Sequence, residues 1–151
     1  MGLQDARILD LFSGSGALGL EALSRGAASV IFVEENPKAV QLIQQNAKSL
    51  GLSEQIKVIP RKVEQVLKYL AEEPPFDFVF MDAPYHQGYE EKVLLEWPWE
   101  KILLDQGKLC IESGYRKEGT HLPPGTLKIV RDERYGESQL TFYANKREQD
   151  T

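Results

Sequence analysis

Between Arg7 and Gly19 the chain reads Arg-Ile-Leu-Asp-Leu-Phe-Ser-Gly-Ser-Gly-Ala-Leu-Gly, an apolar run followed by a cluster of glycine and serine. The run from Ile8 to Phe12 predicts a buried strand, and the pattern from Ala17 to Arg25 predicts a helix directly behind it. A strand handed to a helix through a glycine turn is the opening unit of a parallel α/β sheet. Gly14 and Gly16 let the backbone turn sharply, and the amides that open the helix present partial positive charge to a ligand. Gly14, Gly16 and Gly19 also fit the G-x-G-x-x-G dinucleotide fingerprint, with Glu34 at a distance suited to a ribose. Asp10, at the end of the strand, points elsewhere. Two phosphates beside its carboxylate would repel it, whereas a cofactor carrying cationic groups is attracted.

The same rhythm repeats. Ser29 to Glu34 reads as a second buried strand, and Glu35-Asn36-Pro37 opens a helix whose apolar residues Val40, Ile43, Ala47 and Leu50 recur at helical spacing until Gly51. Ile56 to Ile59 is a third strand, followed by a helical pattern through Val63, Val66, Leu67 and Leu70 that Pro74-Pro75 breaks. Phe76 to Asp82 is the most apolar strand, and it too ends in an acid. One or two helices from Tyr89 to Leu104 are interrupted near Trp97-Pro98-Trp99, whose rings are expected to cover core, and Lys108 to Glu112 gives a fifth strand. Ser113 to Gly125 reads as loop. Thr126 to Arg134 and Gln139 to Ala144 read as a hairpin. The expected fold is α/β: a doubly wound, mostly parallel, Rossmann-like sheet with a C-terminal antiparallel hairpin. In such sheets ligands sit beyond the carboxyl ends of the strands, where Asp10, Glu34 and Asp82 all fall.

Composition sets the outer bounds. At 151 residues and 42% hydrophobic content, a single domain spanning residues 1–151 with a real core is expected. No apolar run approaches the roughly 20 residues of a membrane-spanning helix, and the first residues carry no secretory signal. The single Cys110 forms no internal disulfide and reads as a small core residue, which fits a cytoplasmic protein. The two histidines and one cysteine have no metal-site spacing, so no metal is expected. A net charge of −5 excludes nucleic-acid binding by bulk electrostatics and leaves local basic groups such as Arg25, Arg61-Lys62 and Arg116-Lys117.

Asp82-Ala83-Pro84-Tyr85 is the second chemical signature. A carboxylate at a strand end, a carbonyl held in a stiff turn and an aromatic face suit a flat amino group on a base. Asp82 and the Ala83 carbonyl each accept a hydrogen bond from the amine while Tyr85 stacks on the ring. An aryl amine is a poor nucleophile, and two acceptors that draw its hydrogens aside free its lone pair. His86, just beyond, reads as loop, and Glu112, ending the fifth strand, as an acid on the substrate side or a solvated strand end.

Asp10-Leu-Phe-Ser-Gly-Ser-Gly16 resembles the first motif of class I S-adenosylmethionine-dependent methyltransferases, and Asp82-Ala-Pro-Tyr85 resembles the (Asn/Asp)-Pro-Pro-Tyr motif of amino-methyltransferases. Together with Glu21-Ala-Leu-Ser-Arg-Gly26, Phe32-Val-Glu34, Asn46, Phe76-Asp77 and Tyr135-Gly136, they make the chain similar to the RsmD type of 16S ribosomal RNA guanine-N2 methyltransferase from Arg7 to Tyr143. The resemblance implies S-adenosylmethionine as cofactor, held by Asp10, Phe12, Ser13, Gly14, Gly16, Glu34, Glu35 and Asn36. It implies Asp82, Ala83, Pro84 and Tyr85 at the reacting base, and 16S ribosomal RNA, free or within a small-subunit particle, as partner of a monomeric enzyme. Ala83 replaces the family's first proline, Pro60-Arg61-Lys62-Val63 lacks the acid that often reads adenine, and an upstream basic segment is expected to precede Met1. The residues taken alone also admit transfer to another nucleobase amine such as adenine N6, a nicotinamide-dependent oxidoreductase, or an inert RNA-binding module.

Overall fold

The computed structural model describes residues 3–82, 89–114 and 126–146. Five strands, β1 (Arg7–Leu11), β2 (Ser29–Val33), β3 (Ile56–Ile59), β4 (Phe76–Asp82) and β5 (Leu103–Gly114), alternate with helices α1 (Ala17–Ser24), α2 (Pro37–Ser49), α3 (Leu67–Leu70), α4 (Tyr89–Glu96) and α5 (Trp99–Ile102). The chain then closes with β6 (Leu127–Tyr135) and β7 (Ser138–Asn145). The sheet order is β3-β2-β1-β4-β5-β7-β6. β1 to β5 pair in parallel, and β7 lies antiparallel between β5 and β6. The strand order reverses direction between β1 and β4, which is where a doubly wound sheet leaves its ligand crevice.

Alternation along the strands divides the core in two. Leu9, Leu11, Ile31, Val33, Val79, Met81, Leu109 and Ile111 pack with Val63, Val66, Leu70, Trp97, Trp99 and Ile102 on one face. Ile8, Val30, Phe32 and Phe78 pack with Leu20, Leu23, Ile43 and Ala47, from α1 and α2, on the other. Strands buried on both faces read as continuous apolar runs, and for that reason they were recognisable. The two tryptophans cover core: Trp99 is fully buried, its ring lies 5.6 Å from that of Trp97, and its indole N–H donates to the Leu94 carbonyl at 3.2 Å. Cys110 is also buried, and burial pushes its thiol up to about 12.

Two expectations about elements need correction. The spacing of Val63, Val66, Leu67 and Leu70 is realised as a 3-10 turn over Val63–Gln65 and a single helical turn, α3, because the amides of Gln65 and Val66 bond three residues back, to Lys62 and Val63, and so split the segment at Val66. β5 begins before Lys108 and continues beyond Glu112: Ser113 and Gly114 pair with Gln139 and Ser138 of β7. Backbone pairing to the hairpin overrides their loop-like composition.

Candidate active site

The glycine turn begins at Phe12, which takes a left-handed backbone (φ 59°) as a non-glycine residue, a conformation that costs on the order of 1 kcal/mol. Ser13 compensates locally. Its hydroxyl donates to the carbonyls of Asp10 (2.6 Å) and Val33 (3.3 Å), and its amide donates to Val33 (3.2 Å), so the turn is tied to both β1 and β2. Gly16 caps α1 at φ 78°. Gly19 is needed for space: a Cβ there would lie 2.4 Å from the Phe32 ring and 2.9 Å from Val30. Around Gly14 the corresponding position is open, so the turn approaches its neighbours closely at the helix and leaves room at its tip.

Register determines where the acids face. Asp10 pairs with Phe32 of β2 and Phe80 of β4. Glu34 stands two residues beyond Phe32 and Asp82 two beyond Phe80, and Glu34 prolongs the β2 pairing through its amide, 3.2 Å from the Ile59 carbonyl. Because side chains alternate with period two, Asp10, Glu34 and Asp82 share the α1/α2 face at the carboxyl ends of three adjacent strands. Glu112, opposite Asp82 on β5, joins the same row.

Asp10 is 3% exposed, and its Oδ2 has no hydrogen-bond partner. Burial is the chief cause that raises its carboxyl from 3.8 to about 7; the Gly19 amide and Ser13 hydroxyl oppose the rise, and the charges of Asp82 and Glu34 add to it. Desolvation also raises Asp82, while a hydrogen bond with Glu112 draws it down. Glu112 is raised by desolvation first, then by the charge of Asp82 and the hydrogen bond between them. Burial raises Asp10, Asp82 and Glu112 alike, and among the described residues no cation acts on any of the three, so this end of the sheet favours positive charge.

Glu34 does something the sequence did not show. One oxygen accepts the Gly14 amide (2.8 Å) and the other the Asn36 amide (2.9 Å), so its carboxylate fastens the glycine turn to the start of α2. Asn36 caps that helix through the amides of Lys38 (2.9 Å) and Ala39 (3.4 Å). Glu35 is exposed beside it. Phe12 is half-buried against the larger core cluster. Ala83, Pro84, Tyr85, His86 and Arg116-Lys117 lie outside the described residues. Of the other cations considered for phosphate contact, Arg25 is paired with Glu21 at 2.8 Å and Arg61 lies over the Tyr69 ring at 5.2 Å. The Asp82–Glu112 pair was missed as a pair because cross-strand register is not written in local sequence.

A cavity of about 800 Å³ opens at the other end of the sheet, where Leu67, Leu70, Phe76, Pro98 and Ile102 form much of its wall. None of the four acids lines it; they stand at the opposite end of the sheet. Strand order 3-2-1-4-5-7-6 with a glycine turn and acids at the switch point defines a Rossmann-like fold of the class I methyltransferase type. The family profile described as "Conserved hypothetical protein 95" matches residues 1–144. The chain is 38% identical over 144 residues to ribosomal RNA small subunit methyltransferase D of Haemophilus influenzae, covering 95% of this chain and 74% of that one. It is 30% identical over 140 residues to the Escherichia coli protein of the same name, covering 92% of this chain and 68% of that one. A solved conserved hypothetical protein of Streptococcus pyogenes superposes with a TM-score of 0.84 at 30% identity, covering 95% of this chain and 88% of that one. The chain belongs to this family, that of the RsmD-type methyltransferases.

Proposed function

We propose that this protein transfers a methyl group from S-adenosylmethionine to the exocyclic N2 amine of a guanine in 16S ribosomal RNA. The observation that carries the reading is the row of Asp10, Glu34 and Asp82 on one face at the strand ends, next to a glycine turn with open space at its tip. When bound, the cofactor supplies an electrophilic methyl on a sulfonium. The residues fit such a group: the buried, unpartnered Oδ2 of Asp10 and the negative charges of Asp82 and Glu34 that act on it favour a cation and disfavour a pyrophosphate. Glu34 has two carboxylate oxygens at the strand end where a ribose would lie, and it holds the turn in place from there. Phe12, Ser13, Gly14, Gly16, Glu35 and Asn36 complete the cofactor side.

On the base side, Asp82 accepts a hydrogen bond from the amine and then its proton. The carbonyl of Ala83 is the second acceptor, Pro84 stiffens the turn, and Tyr85 stacks on the base. The protein's contribution is mostly placement and a negative environment for charge that moves from sulfur to nitrogen. The RNA, free or in a small-subunit particle, and a monomeric enzyme complete the reading.

The test is transfer of isotope-labelled methyl from S-adenosylmethionine to 16S RNA and to small-subunit particles, followed by nucleoside analysis. Labelled N2-methylguanosine that disappears in Asp82→Ala supports the reading. Label in N6-methyladenosine moves it to the adenine amine, and absence of label with both substrates refutes it.

A further inference from the structure

β4 and β5 run in parallel register through Met81↔Ile111 and Asp82↔Glu112. The last pair therefore projects two carboxyl groups side by side on one face, and they are hydrogen-bonded to each other. Two carboxyls so placed bond to each other only while the pair carries one proton, so that bond forms when the unprotonated pair takes a proton up. Resting on the methyl-transfer reading above, we propose that Glu112 is a positioning residue for Asp82: it orients the Asp82 carboxylate toward the amine and holds the proton that Asp82 removes.

The surroundings favour this assignment. Asp10 lies one alternation deeper on β1, and Glu34 lies beyond it on β2. Cys110, two residues before Glu112, has its thiol pushed up to about 12, partly by the Glu112 charge, and so stays protonated. On β7 the residue opposite Glu112 is Leu140, and beyond it Glu133 of β6 is engaged with Arg131 and Tyr135. Among the described residues, no cation is among the groups acting on either carboxyl of the pair. Two acids that cannot discharge onto a cation take up their first proton more readily than one alone, and that affinity belongs to the pair.

The step balances. The amine nitrogen uses its lone pair to form the new N–C bond while the methyl–sulfur bond breaks and leaves its electron pair on sulfur. The nitrogen, now cationic, loses one proton to Asp82. The pair settles with that proton on Glu112, whose affinity for it the neighbouring Asp82 charge increases, and bulk water removes it later.

The experiment compares Glu112→Gln and Glu112→Asp with the unmodified protein in kcat against pH. It is accompanied by calorimetric binding of S-adenosylhomocysteine and by carbon-13 NMR titration of the Asp82 carboxyl. In Glu112→Gln the pair's upper proton-binding step is gone, so the acid limb of kcat moves at least half a pH unit lower. The plateau falls about tenfold, less than the roughly 10²–10⁴ that a general base itself contributes, because Glu112 acts through Asp82. Cofactor-product affinity stays within twofold, and Glu112→Asp restores most of the plateau. The Asp82 titration changes from two steps to one. If Glu112→Gln keeps both the limb and a two-step titration, the inference is overturned while the methyl-transfer reading stands. If the unmodified protein methylates nothing, that reading falls and takes this role of Glu112 with it.

Discussion

Asp10→Asn removes a charge that the fold carries at a cost. In the unfolded chain the Asp10 carboxyl titrates near 3.8, and in the folded protein near 7, chiefly because it is buried. Between these values the folded state binds a proton that the unfolded state does not. The favourable contribution is therefore full below about pH 4 and is lost as pH rises through 7. At 1.36 kcal/mol per pKa unit, the difference corresponds to about 4 kcal/mol. Replacing the acid by its isosteric amide removes this pH dependence. Urea unfolding should show the variant gaining on the unmodified protein by up to about 1.4 kcal/mol per pH unit from pH 5 to 7, with the gain levelling off above 7. Binding should change in the opposite sense. A cation beside Asp10 requires the ionised form, so S-adenosylmethionine affinity of the unmodified protein, taken relative to the variant, should fall about tenfold per pH unit below 7. Above pH 7.5 the variant should bind at least about tenfold more weakly. Stability curves that run parallel from pH 5 to 8 would refute the argument that burial controls this carboxyl, and equal cofactor affinities at pH 8 would refute its role toward a cation.

Other perturbations test separate parts of the site. Glu34→Gln leaves one oxygen for two amides and a ribose, so S-adenosylhomocysteine affinity should drop at least about tenfold by calorimetry, with unfolding changed by only about 1 kcal/mol. Gly19→Ala drives a methyl into the Phe32 ring and should destabilise by about 1–3 kcal/mol in urea unfolding, with Phe32→Leu recovering part of the loss. Asp82→Ala should lower kcat by about 10²–10⁴ while cofactor-product binding persists. Asn36→Ala removes the α2 cap and should cost about 1 kcal/mol, visible as a lower urea midpoint at unchanged slope.

Much of this architecture could be read before any coordinates because parallel strands buried on both faces announce themselves. Ile8 to Phe12, Ser29 to Glu34 and Phe76 to Asp82 are such runs, each closing on or near an acid. The glycine spacing was legible as well, although the reason for Gly19 was not: the clash it avoids involves Phe32, on a different strand. What the sequence concealed is set by lateral register. Nothing near Glu112 says that it stands opposite Asp82, and nothing near Glu34 says that its two oxygens will be taken by amides 20 residues before and two residues after it. The helix expected through Val63 and Leu70 failed for the converse reason. Local periodicity is real, but the first turn closes through bonds three residues back, from Gln65 and Val66, and the segment divides into two short pieces.

The two ends of the sheet solve the problem of charge in opposite ways, and the contrast supports the proposed site without reference to any motif. At the amino ends, Glu73 accepts from Lys57 at 2.9 Å and from Arg7 at 3.4 Å, and its carboxyl is held below the usual range, first by the Lys57 hydrogen bond. Charge there is neutralised within the chain, as a structural contact requires. At the carboxyl ends, Asp10, Asp82 and Glu112 are all raised, and no cation is among the groups acting on them among the described residues. A fold selected for stability alone would place an apolar residue at the Asp10 position, between Ile8 and the glycine turn. Keeping an acid there is intelligible when the compensating positive charge arrives with a ligand, and the same deficit makes the outer pair, Asp82 and Glu112, ready to receive a proton once that charge has moved onto the substrate nitrogen.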